Sequence, residues 1–129
     1  MLADTGPLYA SVDPDDQYHP RAQREGRRLA DEGNTVIVAY TTLFESHTLV
    51  SQRLGLRTAH VFLAELRERS GFLTPTGDDF ASACLLARRF DDQDLSLFDA
   101  LVAVLSDRLG LAVWTFDSDF DVIGANVWR

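Results

Sequence analysis

The chain has 129 residues, 46% of them hydrophobic, and a net charge of −8, which fits one domain spanning 1–129 with an ordinary core and leaves no room for a second. All 12 basic residues are arginine, which excludes a P-loop, whose lysine reaches the phosphates, and every Schiff-base mechanism. Cys84 is the only cysteine, no basic stretch with an apolar run opens the chain, and no apolar run nears the ~18 residues of a membrane span, so a cytoplasmic protein without membrane contact is expected.

The elements follow in chain order. Met1 to Asp4 reads as a short strand ending at Asp4, with Thr5-Gly6-Pro7 as a turn. His19 to Glu32 reads as a polar helix carrying Arg21, Arg24, Arg27 and Arg28 near one face, closed by Gly33-Asn34. Thr35 to Ala39 is a β-branched apolar run, the mark of a buried strand. Thr42 opens a helix to about Leu54, and Thr58 opens another, with Val61, Phe62, Leu63 and Leu66 inward. Phe72-Leu73-Thr74 is a short strand, and Thr76 starts a helix carrying Phe80, Cys84, Leu85 and Ala87. Ser96 begins a strongly apolar helix stopped by Gly110. Leu111 to Phe116 reads as a central strand, and Asn126-Val127-Trp128 as an edge strand. Strands alternating with helices predict an α/β fold, a three-layer sandwich whose central, mostly parallel sheet is covered on both faces.

In such sheets ligands gather at the carboxyl ends of the strands. Asp4 and Asp117 each follow a strand directly and so point to that edge. Glu45 and Asp99 first read as helix caps: Thr42-x-x-Glu45 and Ser96-x-x-Asp99 both match a capping box, as does Thr76-x-x-Asp79. Position adds a second reading for two of them. Glu45 lies just past a strand end, and Asp99 sits on the weaker face of a helix that otherwise looks buried, where an acid needs a partner or a cation. Gathered carboxylates repel, and their pKa values rise unless a cation neutralises them. Mg²⁺ or Mn²⁺ suits oxygen ligands and assists attack on a phosphodiester. His19, His47 and His60 are isolated, which argues against zinc, although His47 could reach the site from the Glu45 helix. The arginine face reads as a solvated surface paired with Glu25, Asp31 and Glu32, with phosphate contact as its alternative. Asp91, Asp92 and Asp94 form a solvated acidic loop, and the tryptophans and phenylalanines read as core.

These residues resemble the PIN-domain ribonucleases, and among them the VapC-type toxins. Leu2-Ala3-Asp4-Thr5-Gly6-Pro7-Leu8-Tyr9-Ala10 is similar to the family's first acidic motif, and Asp16-Gln17-Tyr18-His19 with Ala22 to the loop and helix that follow. Glu45 stands in the place of the second acid. Leu95-Ser96-Leu97-Phe98-Asp99-Ala100 resembles the third motif, and Thr115-Phe116-Asp117-Ser118-Asp119-Phe120 the fourth. The resemblance runs through the whole chain in order.

It implies a Mg²⁺- or Mn²⁺-dependent endoribonuclease. Asp4 and Asp99 are then the principal metal ligands, Glu45 completes the acid cluster, and Asp117 binds metal directly or through water. Thr5 and Thr115 support the site, and Asp119 is an extra acid. The resemblance also implies an RNA substrate, a homodimer and a VapB-like antitoxin, for which the acidic balance is suited. A housekeeping RNA-processing nuclease without antitoxin and a catalytically silent protein-binding module are the alternatives. The usual late lysine of phosphoaspartate α/β enzymes is missing.

Overall fold

The computed structural model describes residues 1–129. Four short strands, β1 (Leu2–Ala3), β2 (Ile37–Ala39), β3 (Gly71–Leu73) and β4 (Val113–Trp114), alternate with pairs of helices. Helices α1 (Thr5–Val12) and α2 (His19–Asp31) follow β1, α3 (Tyr40–Leu54) and α4 (Leu56–Arg69) follow β2, and α5 (Gly77–Arg89) and α6 (Leu97–Leu109) follow β3. A short α7 (Asp119–Val122) follows β4. All strand pairs are parallel, in the order β3-β2-β1-β4.

The period of two along each strand divides the core. Ala3, Val38 and Trp114 face one apolar cluster, built with Leu8 and Tyr9 of α1, Leu29 of α2, Leu43 and Val50 of α3 and Phe62 of α4. Leu2, Ala39 and Val113 face the other, built with Ala83 of α5, Leu101 and Leu105 of α6 and Phe120 of α7. The fold is thus the three-layer α/β sandwich expected, with its sheet wholly parallel. The chain steps outward from β1 to β3, then returns past β1 to lay down β4. Right-handed crossovers therefore send α5 and α6 to the opposite face from α1 to α4. The segments after β1 and β4 part in opposite directions between neighbouring strands, and that is where a crevice opens.

Local chemistry explains the ends of α5 and α6. Thr76 and Ser96 each accept from the backbone N–H three residues on, and Asp79 and Asp99 each accept from the cap's own N–H, so both are true capping boxes. Gly110 ends α6 at φ 65°, a left-handed conformation in which a Cβ is disfavoured. Buried Asp79 also accepts two hydrogen bonds from Arg108, at 2.6 and 2.8 Å, tying the start of α5 to the end of α6. That pairing, foremost, holds its carboxyl below the usual carboxylate range.

Several expectations change. Thr5-Gly6-Pro7 is the first turn of α1 rather than a separate turn before it, because proline is tolerated where helical N–H groups have no acceptor. The Thr42–Glu45 capping box does not form: α3 begins at Tyr40, and its N-cap is Ala39 rather than Thr42. Leu111 to Phe116 contributes only Val113 and Trp114, at the end of the sheet order, and Val127 adds a single bridge beyond it. Val61, Phe80 and Leu85 point outward, since α4 turns Ala59, Phe62 and Leu66 inward and α5 turns Asp79 and Ala83. The Asp99 side of α6 is not a weaker face: Ala103 and Ser106 are buried there while Leu97 is exposed. No helix is long and apolar enough to cross a membrane.

Candidate active site

Asp4 is the residue after β1, and its N–H bonds to Trp114 O of β4 at 3.0 Å. The ladder therefore places its side chain in the crevice between the two strands. It is 6% exposed. Thr115, the residue after β4, donates its hydroxyl to Asp4 Oδ2 at 2.8 Å. The Thr115 hydroxyl oxygen in turn accepts the Asp117 N–H at 3.0 Å, and Asp117 Oδ1 accepts the Asp119 N–H at 2.9 Å. Thr115 thus holds the buried acid and shapes the turn that presents Asp117.

Two helices bring the other acids. Asp99 lies in the first turn of α6, where the helix N-terminus favours negative charge. Glu45 lies on the second turn of α3 and accepts a hydrogen bond from the Thr5 hydroxyl. Asp4, Asp99 and Asp117 line one pocket together with Thr5. Glu45 stands behind Thr5 rather than in the wall, near enough that its charge acts on Asp4. Asp119 is half-buried, and its charge acts on Asp99. Asp16 also lines the pocket, so four acids share it, and Glu45 and Asp119 act on it from outside its wall. No three of them converge on one ligating point.

The electrostatics follow from this crowding. Burial pushes the Asp4 carboxyl up to about 7, aided by the charges of Asp99 and Glu45 and opposed by the bonds from Thr115 and the Thr5 backbone. Burial also raises Glu45, with Asp99 adding to the rise and Thr5 opposing it. Asp99 is raised by burial and by Asp117 and Asp119, against its hydrogen bonds to Ser96.

A stability prediction follows. A carboxyl that titrates higher in the folded state stabilises the fold while protonated and loses that contribution as pH rises through its folded pKa. From 3.8 to about 7, the loss for Asp4 is about 4 kcal/mol. Urea unfolding in chelator should show the wild type weakening between pH 4 and 7 and levelling above, with Asp4→Asn removing most of the fall. A wild-type stability that is flat across that interval contradicts the burial of an acid among acids.

The pocket also holds residues that the sequence did not single out as site members. Arg53 is the one arginine in its wall, with its guanidinium 5.0 Å from the Tyr9 ring. The signal was helical spacing: Glu45, Leu49 and Arg53 recur at four-residue steps on α3. Phe116 and Tyr18 line the mouth, 5.2 Å apart between ring centroids, so Phe116 is not core. Phe44, Phe80 and Phe98 are exposed as well. His47 does not line the pocket and faces His60 instead, at 6.3 Å. Arg21 and Arg28 pair with Glu25 and Glu32 at four-residue spacing.

The fold has clear relatives. The VapC20 toxin of Mycobacterium tuberculosis, which cleaves the sarcin–ricin loop, superposes with a TM-score of 0.83 at 25% identity, over 96% of this chain and 95% of that one. A chain of VapBC2 from Rickettsia felis, solved bound to a DNA fragment from their promoter, superposes at 0.76 with 15% identity, over 99% and 96%. A chain of FitAcB from Neisseria gonorrhoeae superposes at 0.68 with 19% identity, over 99% and 96%; these last two likenesses concern the fold alone. No curated sequence matches the chain. The PIN domain family matches residues 1–126. With that match across nearly the whole chain, and with its acids gathered where β1 and β4 part, the protein belongs to the PIN domain family.

Proposed function

We propose that residues 1–129 form one metal-dependent endoribonuclease domain, the toxin of a toxin–antitoxin pair. The observation that carries this reading is Asp4. An acid 6% exposed, lining a pocket with Asp99 and Asp117, has its carboxyl pushed to about 7. At neutral pH such a group is fully ionised only beside a cation.

The donor set fits Mg²⁺ or Mn²⁺. The side-chain acceptors on offer are carboxylate and hydroxyl oxygens, with no thiolate or imidazole in the wall to favour zinc. Magnesium keeps several waters and takes one or two protein carboxylates, which agrees with acids that share a pocket without three of them closing on a point. Asp4 and Asp99 are the principal ligands, and Asp117 binds directly or through water. Glu45 completes the acid cluster, Thr5 and Thr115 hold Glu45 and Asp4 in place, and Asp119 supports the Asp117 turn. When bound, the ion activates water and neutralises charge gathering on the phosphodiester. The chain's own part is orientation. Thr115 and the Thr5 backbone hold the Asp4 carboxyl in place, and Arg53 offers the wall's guanidinium to a phosphate.

RNA is the substrate this reading assigns, supported by the likeness to a toxin that cleaves the sarcin–ricin loop. The net charge of −8 suits a partner that carries positive charge, here a VapB-like antitoxin acting on a homodimer in the cytoplasm. The test is cleavage of total RNA by purified protein with Mg²⁺, with Mn²⁺ and with EDTA. Discrete new RNA ends with either ion and none in EDTA are expected, as is growth arrest on expression that the product of an adjoining small gene relieves. Cleavage that persists undiminished in EDTA overturns the metal-dependent reading. A protein that cleaves no RNA under any of these conditions is a silent module.

A further inference from the structure

Beside the acidic pocket lies a second constellation, and it rests on the ribonuclease reading. Phe116 follows Thr115 at the end of β4 and lines the pocket with Tyr18, the residue before α2. The two rings lie 5.2 Å apart, inclined at 38°. The Arg21 guanidinium covers Phe116 at 4.5 Å from the ring centroid. This arginine is held in place: its Nε donates to Glu25 Oε1 at 2.8 Å, while Glu25 Oε2 accepts the Trp114 indole N–H at 2.7 Å. Trp114 in turn meets Phe116 edge-on at 6.5 Å.

Two details show that this cluster is open for binding. The Arg21 side chain makes no protein hydrogen bond beyond its Nε, so both terminal nitrogens are free. Tyr18 is 39% exposed, and its hydroxyl bonds to nothing in the protein. A half-open aromatic pair beside a free guanidinium, at the lip of an acidic pocket, has little structural purpose of its own. A lone apolar pair on a surface usually turns inward. Here it is braced outward by Glu25 and Trp114.

The geometry points to a nucleotide subsite: the base next to the scissile phosphate, unstacked in single-stranded RNA, stacks on the exposed Tyr18 ring, which Phe116 backs, and the phosphate beyond it meets the terminal nitrogens of Arg21. Each part matches known chemistry. Every base has a face that stacks on an aromatic ring, and unpaired loops are where RNA bases are free to do so. Arginine adds a forked contact to phosphate. The subsite also offsets the protein's acidity, because stacking attracts the substrate without depending on net charge. It makes the enzyme selective for unpaired RNA, since a base held in a duplex cannot reach the platform.

The test is fluorescence anisotropy on the full chain carrying Asp99→Asn, to prevent cleavage, with a labelled single-stranded oligoribonucleotide and a set in which each position in turn is abasic. Tyr18→Ala should weaken binding of the intact oligomer about tenfold. It should have no effect on the one oligomer that lacks the stacked base, and Tyr18→Phe should bind as the parent does. Arg21→Ala should weaken all oligomers equally and lower the salt dependence by about one phosphate contact. Arg67→Ala, on exposed α4 surface, should change nothing. Equal affinity of Tyr18→Ala and its parent for every oligomer overturns the subsite, as does a loss of the same size on every abasic oligomer, which would mean a general or protein-docking surface. Cleavage by the unmutated chain is measured in parallel. If it persists while the binding test fails, only the subsite falls; if cleavage is absent too, the ribonuclease reading falls with it.

Discussion

Asp4→Asn and Asp99→Asn each lower RNA cleavage by about a thousandfold or more, while the metal-free proteins unfold at denaturant concentrations no lower than the wild type. The magnitude follows from the role proposed for the ion, which stabilises developing charge by several kcal/mol, and about 4 kcal/mol corresponds to a factor of ~10³ in rate. The unchanged or improved stability follows from the site's electrostatics. Asp4 is buried and its ionised form is disfavoured by burial and by Asp99 and Glu45, so a neutral amide of the same shape relieves repulsion. The amide also keeps the carbonyl that accepts from Thr115. For Asp99 the amide keeps the acceptor that caps α6. Glu45→Gln should cost less, since Glu45 stands behind Thr5 and outside the pocket wall. Initial rates of cleavage with saturating Mn²⁺, beside urea unfolding curves in chelator, separate the two effects. Rates within tenfold of wild type in both variants contradict the assignment. A fall in activity that merely tracks a fall in stability contradicts it equally.

Phe120→Ala is the substitution with the largest expected effect on the fold. Phe120 is fully buried, at 0% exposure, in the cluster formed with α5 and α6. It is also the anchor of the turn that carries the late acids. Its N–H reaches back to Asp117 O at 3.4 Å, and its carbonyl accepts from Ala125 at 2.9 Å. Removing the ring leaves a cavity that a close-packed interior fills only in part, at about 3–5 kcal/mol. Chemical denaturation should show that loss, and Phe120→Leu should recover most of it. Activity should fall further than the folded fraction does, because Asp117 and Asp119 are presented by the turn this ring pins. A loss below about 1 kcal/mol would show that the core closes over the gap.

The acids were unevenly legible, for physical reasons. Asp4 and Asp117 follow strands, and strand ends can be read from β-branched runs and turns. Asp99 was legible as a cap because a capping box is local chemistry over four residues. Of the two readings of Glu45, the cap fails. Its pattern is the same, but α3 begins at Tyr40, and the side chain instead meets Thr5 from forty positions away in the chain. Tyr18, Phe116 and Arg21 belong to a single surface only because Trp114 and Glu25 join β4 to α2, a contact no local pattern contains. Likewise, β4 looked central because its residues are apolar. Its place at the end of the order depends on which strand the chain passes on its return.

The sequence by itself determined the parts: a parallel α/β architecture, helix ends at Thr76, Ser96 and Gly110, a lysine-free and acidic composition, and the acids at strand ends and helix starts. These rest on dihedral preferences, hydrophobic period and capping, which act over a few residues. Only the tertiary structure decided the strand order, which acids line the pocket and which press on it from behind, and that an aromatic pair with a braced arginine stands at its mouth. Those depend on side chains brought together across the sheet by burial of the two cores, and burial has no direction along the chain from which its partners could be read.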